Sequence, residues 1–145
     1  MKFITIFALP GLALAGRSII TGSLYLPELH TQDHHYVFNI VNKNIVAKEG
    51  DQFFDYNIEA HTLKVNGVEA YVSVNKSGKL VLSNRPHGGF ILDAQTGEKY
   101  KHTLSYHESD VFQMCSDLSM GFESACKDAL DVKVTFEDAI QPRER

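Results

Sequence analysis

The chain has 145 residues, of which 43% are hydrophobic and 22% charged, as in soluble globular domains. This length predicts one domain with one hydrophobic core. The formal net charge is −4 and the acidic residues are scattered. Nucleic acid and anionic membrane surfaces are therefore not expected as partners, because both attract a basic face.

The amino terminus has the pattern of a secretory signal peptide. A lysine at the second position and a short apolar run over 3–9 are followed by a Pro-Gly break and then by small residues. This pattern predicts cleavage between Ala15 and Gly16, a signal peptide over 1–15 and a single extracellular domain over 16–145. The alternative is a buried amino-terminal strand or helix of a cytosolic protein.

Membrane anchorage is not expected from the remaining sequence. The apolar run near the amino terminus is far shorter than the roughly 20 residues that span a bilayer, and no later run is longer. The carboxyl terminus is charged, whereas a GPI signal ends in an apolar tail. The sequence thus predicts a secreted, extracellular protein without a membrane anchor.

Short strands follow one another along the rest of the chain. Runs of β-branched, aromatic and aliphatic residues alternate with Gly, Pro, Asn and Asp turns. The predicted strands are 18–26, 36–41, 52–58, 63–65, 68–74, 80–82, 90–92, 100–106, 111–115 and 130–136.

The hairpin around Asn66-Gly67 carries the clearest pattern. This dipeptide favours a type I′ turn, in which both central residues have positive φ. After it, apolar residues alternate with other types, which predicts that one side of the strand packs on a core. The residues predicted to face the core are Val68, Ala70, Val72 and Val74.

Together these elements predict an all-β domain. About ten short antiparallel strands, with turns every 8 to 12 residues, are typical of sandwiches and small barrels. A small closed barrel or a β-trefoil-like domain fits this pattern. The spacing near 117–128 predicts one short helical segment, the only one in the chain.

Two cysteines, Cys115 and Cys126, are predicted to form a disulfide, because an even number in a secreted chain is usually paired. Closing that loop contributes roughly 2–3 kcal/mol in the chain-entropy description. The alternative is two free or intermolecular thiols.

Asn75-Lys76-Ser77 is the only N-glycosylation sequon and lies at a predicted turn, so Asn75 is a candidate glycosylation site.

The sequence predicts no catalytic residue, metal site or cofactor. It contains no H-E-x-x-H, C-x-x-C, G-x-S-x-G or phosphate-binding loop. Scattered carboxylates do not by themselves indicate a glycosidase pair. The histidines lack ligand spacing and are interpreted as surface residues: His30, His34, His35, His61, His87, His102 and His107.

Tyr71 and Tyr100 are candidate glycan contacts. Both lie on alternating strands, and an aromatic face can pack on the apolar face of a sugar ring. The alternative for either residue is core packing or an ordinary place on the strand surface.

In the second half of the chain, several short motifs follow one another in an order that is typical of a known protein family. A Gly-Phe strand leads to an Asp-Val-Phe-x-x-Cys strand, then to a polar loop with a second cysteine and a Val-rich strand, in the segments 89–92, 109–115, 124–126 and 132–134. This order resembles the carboxyl-terminal domain of the Pir-type cell-wall mannoproteins of yeasts. The segments 70–74 and 78–82 also resemble a hairpin of those domains.

The resemblance implies a fungal source and a non-enzymatic role. Pir-type domains carry four cysteines and glutamine-containing repeats, whereas this chain has two cysteines and lacks the repeats, so covalent wall linkage is not expected. We therefore expect a secreted or loosely wall-associated structural or interaction protein, with wall polysaccharide or other wall proteins as partners. The alternatives are a secreted carbohydrate-binding module and, less favoured by the residues, a secreted effector or hydrolase.

Overall fold

The computed structural model describes residues 18–29 and 31–139. The predicted signal peptide and its cleavage site at Ala15 and Gly16 lie outside the described residues. Those residues form antiparallel strands and one short 3-10 turn, Pro27–Leu29. The strands are β1 (Ile19–Tyr25), β2 (Tyr36–Val41), β3 (Asn44–Glu49), β4 (Phe54–Asn57), β5 (Thr62–Val65), β6 (Tyr71–Val74), β7 (Leu80–Ser83), β8 (Phe90–Gln95), β9 (Glu98–Tyr106), β10 (Phe112–Met114), β11 (Met120–Gly121), β12 (Leu130–Val132) and β13 (Thr135–Asp138).

The strands form two sheets, which confirms the all-β prediction. Ten strands share one sheet in the order β2-β3-β7-β6-β5-β4-β1-β13-β9-β8, and the second sheet has the order β11-β10-β12. Strand β1 also pairs with β2 through Tyr25 and Val37, so the first seven strands of the large sheet form a ring. A single residue pair closes this ring.

The core is built mainly from phenylalanine, as expected for a chain without tryptophan. Five phenylalanines are fully buried and come from strands of both sheets: Phe38, Phe54, Phe90, Phe112 and Phe136. Each contributes about 1.5–3 kcal/mol relative to an exposed side chain. Because Phe112 and Met120 of the small sheet belong to the same cluster as the large-sheet residues, one core lies under both sheets.

The predicted type I′ turn at Asn66-Gly67 is wrong. Only Gly67 has positive φ, at 82°, and a five-residue loop separates β5 from β6. The Asn66 N–H donates to the carbonyl oxygen of Phe53 at 3.1 Å and so continues the β4–β5 ladder. The Val68 N–H also donates to the Val65 carbonyl oxygen at 3.2 Å, so Asn66 and Gly67 are the central residues of a turn in which only the second has positive φ. Val68 consequently lies in the loop at 54% exposure, whereas Val72 is buried as predicted.

A type I′ geometry occurs instead in the hairpin between β2 and β3. The sequence pattern predicts no strand at the position of β3, because the predicted strand after 36–41 is 52–58. Asn42 and Lys43 have φ of 52° and 65°, and Val41 pairs directly with Asn44. Asn tolerates this backbone region because its short side chain bonds locally, whereas lysine gains nothing there. The hairpin therefore depends on the pairing of its strands rather than on its turn residues.

The helical segment predicted near 117–128 is also wrong. This stretch contains β11 and two turns. The Asp117 carboxylate accepts hydrogen bonds from the Ser119 N–H at 3.0 Å and its hydroxyl at 2.6 Å, which reverses the chain. A right-handed helix needs negative φ throughout. Three residues here have φ between 50° and 70°: Leu118, Glu123 and Asp128.

The predicted Cys115–Cys126 pairing is confirmed. The two sulfur atoms lie 2.01 Å apart and the two Cα atoms 5.8 Å apart, at disulfide distance. The bond connects the end of β10 to the loop before β12. Within the described residues, no helix has the length and apolarity needed to cross a membrane.

Candidate functional site

An open groove of about 410 Å³ lies on the outer face of β4, β5 and β6. We call it the Tyr71 groove. Its walls combine one aromatic ring, charged and amide side chains, and a few apolar groups. They are formed by Ile19, Asp55, Asn57, Ala60, Thr62, Lys64, Glu69, Tyr71 and Pro86.

Strand register lines up the polar side chains of this groove. Tyr71 is paired with Lys64, Lys64 with Asp55, and Asp55 with Thr21. Directly paired residues point to the same face with Cβ atoms about 5 Å apart, so a continuous row crosses four strands. Their chain neighbours Phe54, Leu63 and Val72 point inward and are fully buried. Alternation along each strand therefore places the row on the outside.

Asp55 is fixed in this row by three partners. Its Oδ1 accepts hydrogen bonds from the Thr21 hydroxyl at 2.6 Å and from Asn66 Nδ2 at 3.0 Å. Its Oδ2 lies 3.9 Å from the Lys64 ammonium, with both side chains only about a fifth exposed. Because every member is already held, the groove is preformed and loses little side-chain freedom when it binds.

Tyr71 forms one end of the row. Its ring is half-buried, and its hydroxyl donates to Glu69 Oε2 at 3.4 Å. Partial burial and the neighbouring Glu69 carboxylate raise the pKa of this hydroxyl above its usual value, so it stays protonated and keeps its donor.

The second predicted glycan contact, Tyr100, lies elsewhere. Strands β6 and β9 are five pairing steps apart in the sheet, roughly 24 Å at about 4.8 Å per step. The β9–β13 ladder ends at Lys101, and the β8–β9 register shifts between His102 and Glu98, so Tyr100 lies in an irregular part of β9, away from the row that contains Tyr71. Its ring is approached by the Lys99 ammonium, 5.7 Å from the centroid.

Sequence reasoning missed the polar partners of Tyr71. The signal was present in the alternation of Phe54 to Asn57 and of Leu63 to Val65, where polar residues occupy every second position. That pattern shows which side chains face outward. It does not show that β4, β5 and β6 are neighbours, which is what turns separate polar residues into a groove.

The histidines within the described residues do not form a cluster that could bind a metal ion. His34, in the loop before β2, pairs with Glu49 at 3.1 Å, and His102 of β9 pairs with Asp138 at 3.1 Å. No group of three or more metal-binding side chains occurs in the ranges 18–29 and 31–139, and His30 lies outside them.

Two histidines flank Tyr106 at the end of β9. His87 Nε2 lies 2.7 Å from the Tyr106 hydroxyl, and the His107 ring stacks on the Tyr106 ring with centroids 3.9 Å apart. Burial lowers the pKa of His87 below its usual value, and the nearby His107 lowers it further. This arrangement contributes to packing beside Phe90 and Phe122.

The sequon lies at the turn between β6 and β7, and Asn75 is exposed there.

No known protein family, curated protein sequence or solved structure matches this chain. The resemblance to Pir-type wall proteins therefore stays a prediction.

Proposed function

We propose that this is a non-catalytic extracellular binding protein that holds carbohydrate in the Tyr71 groove. The observation that carries this proposal is the half-buried Tyr71 ring at the end of a preformed row of hydrogen-bonding side chains. A sugar ring presents an apolar C–H face and a rim of hydroxyls. An aromatic face beside amide, ammonium and carboxylate groups matches both parts.

The charge of the groove favours a neutral ligand. The groove contains two carboxylates, Asp55 and Glu69, and one ammonium, Lys64, and the whole chain carries a formal charge of −4. A polyanion would be repelled by this balance, whereas the hydroxyls of a neutral polysaccharide can both donate to carboxylates and accept from the ammonium. Neutral wall polysaccharide is therefore the ligand class that we propose.

The state of Asp55 favours binding over hydrolysis. A general acid or nucleophile needs a carboxyl oxygen free to reach the reacting bond. In this groove Asp55 Oδ1 is occupied by two hydrogen-bond donors and Oδ2 faces Lys64. Asp55 is thus a structural acceptor that orients its neighbours.

The extracellular setting is supported by two features. The disulfide is typical of oxidising compartments, and the amino-terminal residues have the pattern of a signal peptide. The similarity to Pir-type domains favours a fungal wall as the location. We propose loose retention on wall polysaccharide, with other wall proteins as further partners.

Retention on insoluble polysaccharide tests the groove. We expect the purified protein to bind β-glucan or chitin, and Tyr71→Ala to weaken binding about tenfold, because the lost stacking contact is worth about 1.4 kcal/mol. Tyr100→Ala is the matched control and should bind like the wild type. The proposal fails if the wild type is not retained on neutral polysaccharide, or if the two variants lose binding equally.

A further inference from the structure

A second hollow, of about 610 Å³, lies at the tip of the β6–β7 hairpin. We call it the sequon hollow. It is formed by the hairpin turn, the turn after β9 and the loop after β11, and it is lined among others by Val74, Asn75, Tyr106, His107 and Phe122. The candidate glycosylation site thus lies on the wall of a concave surface rather than on a free loop tip.

The Asn75 side chain uses only its oxygen to hold the turn. Oδ1 accepts hydrogen bonds from the Ser77 N–H at 3.0 Å, the Ser77 hydroxyl at 2.9 Å and the Lys79 N–H at 2.9 Å. Within the described part of the chain, Nδ2 has no hydrogen-bond partner. A sugar attached to Nδ2 therefore breaks no contact that shapes the hairpin.

The hairpin is held firmly beside the hollow. The Phe122 N–H donates to the Gly78 carbonyl oxygen at 2.7 Å, and the Gly78 N–H donates to the Asn75 carbonyl oxygen at 3.0 Å. A Cβ on Gly78 would lie 2.7 Å from the Phe122 carbonyl oxygen, so the two segments touch at backbone distance. The position of Asn75 relative to the opposite wall is therefore set by backbone contacts.

The opposite wall is an aromatic stack with one exposed face. His107 is exposed and lies on the Tyr106 ring, at 3.9 Å between centroids and 14° between planes. Tyr106 in turn meets the buried Phe122 edge-on, with centroids 4.9 Å apart. The outer face of His107 is thus a fixed aromatic surface, suited to the C–H face of a pyranose.

We propose that Asn75 carries an N-linked glycan whose first N-acetylglucosamine packs in the sequon hollow against His107. The sugar then clamps the β6–β7 hairpin to the turn after β9. This inference rests on the extracellular setting of the proposed function and is independent of the Tyr71 groove.

The attachment is a group transfer from a lipid-linked oligosaccharide diphosphate. A bond forms between Asn75 Nδ2 and C1 of the sugar while the C1–O bond to the diphosphate breaks. The lipid diphosphate leaves with the electron pair of that bond, and one amide proton of Nδ2 is released. The Asn75 oxygen remains an acceptor, so its three hydrogen bonds in the turn persist.

The test compares one sequence with and without sugar. The full chain is placed behind a heterologous signal peptide in a eukaryotic host, and the glycan is trimmed to a single N-acetylglucosamine. The same chain from the bacterial periplasm is the unmodified control with its disulfide formed. We expect the mass of one N-acetylglucosamine, located at Asn75, and a Tm about 2–5 °C higher in the modified form.

His107→Gly shows whether the aromatic wall causes that gain. Glycine suits the φ of 48° at this position and creates no new sequon. We expect the glycan to raise Tm by less than 1 °C in this variant. Absence of the sugar would overturn the modification, and an equal rise in both backgrounds would overturn the packing. Polysaccharide retention by the periplasmic protein tests the Tyr71 groove separately, so failures of the two proposals are distinguishable.

Discussion

Asp55 organises the Tyr71 groove through two hydrogen bonds and one ion pair, which reach three other strands or loops. It holds Thr21 of β1, Asn66 of the β5–β6 loop and Lys64 of β5. At this scale a single carboxylate determines the shape of a surface, because each partner would otherwise be free to rotate into solvent. The same side chain is mostly buried, so its hydrogen bonds also contribute to stability.

Asp55→Ala is expected to lower the free energy of unfolding by about 1–3 kcal/mol, since two donors and an ammonium lose their common acceptor. Urea denaturation of purified protein measures this. Asp51→Ala is the control, because Asp51 is exposed and its loss should change stability by less than about 0.5 kcal/mol. Equal effects of the two substitutions would contradict the role given to Asp55.

His87 is expected to make stability depend on pH. Burial and the neighbouring His107 lower its pKa in the folded protein, so the unfolded chain binds more protons as the pH falls below about 6.5. The stability that the neutral His87 contributes is therefore fully present above the pKa that His87 has in the unfolded chain. It is lost as the pH falls through the lower pKa that His87 has in the folded protein.

His87→Gln should flatten the pH dependence of the urea midpoint between pH 7 and pH 5. His61→Gln is the comparison, because His61 is exposed and touches the Tyr56 hydroxyl at 3.3 Å. A wild-type slope that persists unchanged in His87→Gln would contradict this prediction.

At the scale of elements, two hairpins show how strand pairing overrides turn chemistry. The β2–β3 turn adopts positive φ at Asn42 and Lys43, although the sequence there lacks glycine. The β5–β6 connection contains Asn66-Gly67 and still forms a longer loop, because Asn66 continues the ladder with Phe53. The turn residues favour one backbone conformation by about 1 kcal/mol. The hydrogen bonds of the paired strands together contribute more than this, so they determine the length of the loop.

Lys43→Gly is expected to stabilise the protein by about 0.5–1 kcal/mol, because glycine adopts the φ of 65° without steric cost. The urea midpoint measures the gain. Gly67→Ala is the opposite case, since φ is 82° and no atom lies within 4 Å of the added Cβ. It should destabilise by a similar amount through backbone conformation alone. A loss of stability in Lys43→Gly would show that its turn is not strained.

At the scale of the whole molecule, both sheets depend on one core. Phe112 of the small sheet contacts Phe122 edge-on at 5.5 Å, and both belong to the cluster that includes Phe54 and Phe136 of the large sheet. The disulfide lies within the region of the small sheet. We therefore expect the two sheets to unfold together rather than as separate units.

Phe112→Ala is expected to cost about 3–5 kcal/mol, because it leaves a cavity under both sheets. Tyrosine fluorescence and far-ultraviolet circular dichroism should report one coincident transition in urea. Leu130→Ala on β12 is the matched control, at 50% exposure, and should cost far less. Two separated transitions would contradict a shared core.

The sequence by itself determined the features that depend on neighbouring residues. Alternation of apolar side chains predicted most strands, and an even number of cysteines in a chain with a signal-peptide pattern predicted the disulfide. The helix expected near 117–128 failed because Asp117 bonds Ser119 and reverses the chain, a local competitor that periodicity alone does not show.

The tertiary structure alone decided what lies next to what. Tyr71, Lys64, Asp55 and Thr21 form one row only because β6, β5, β4 and β1 are neighbours in a given register, and a shift by one residue would turn the row into the core. The sequon hollow likewise joins three segments from distant parts of the chain. Local patterns state which way a side chain faces along its own strand, whereas pairing between strands depends on the energy of the whole packed core.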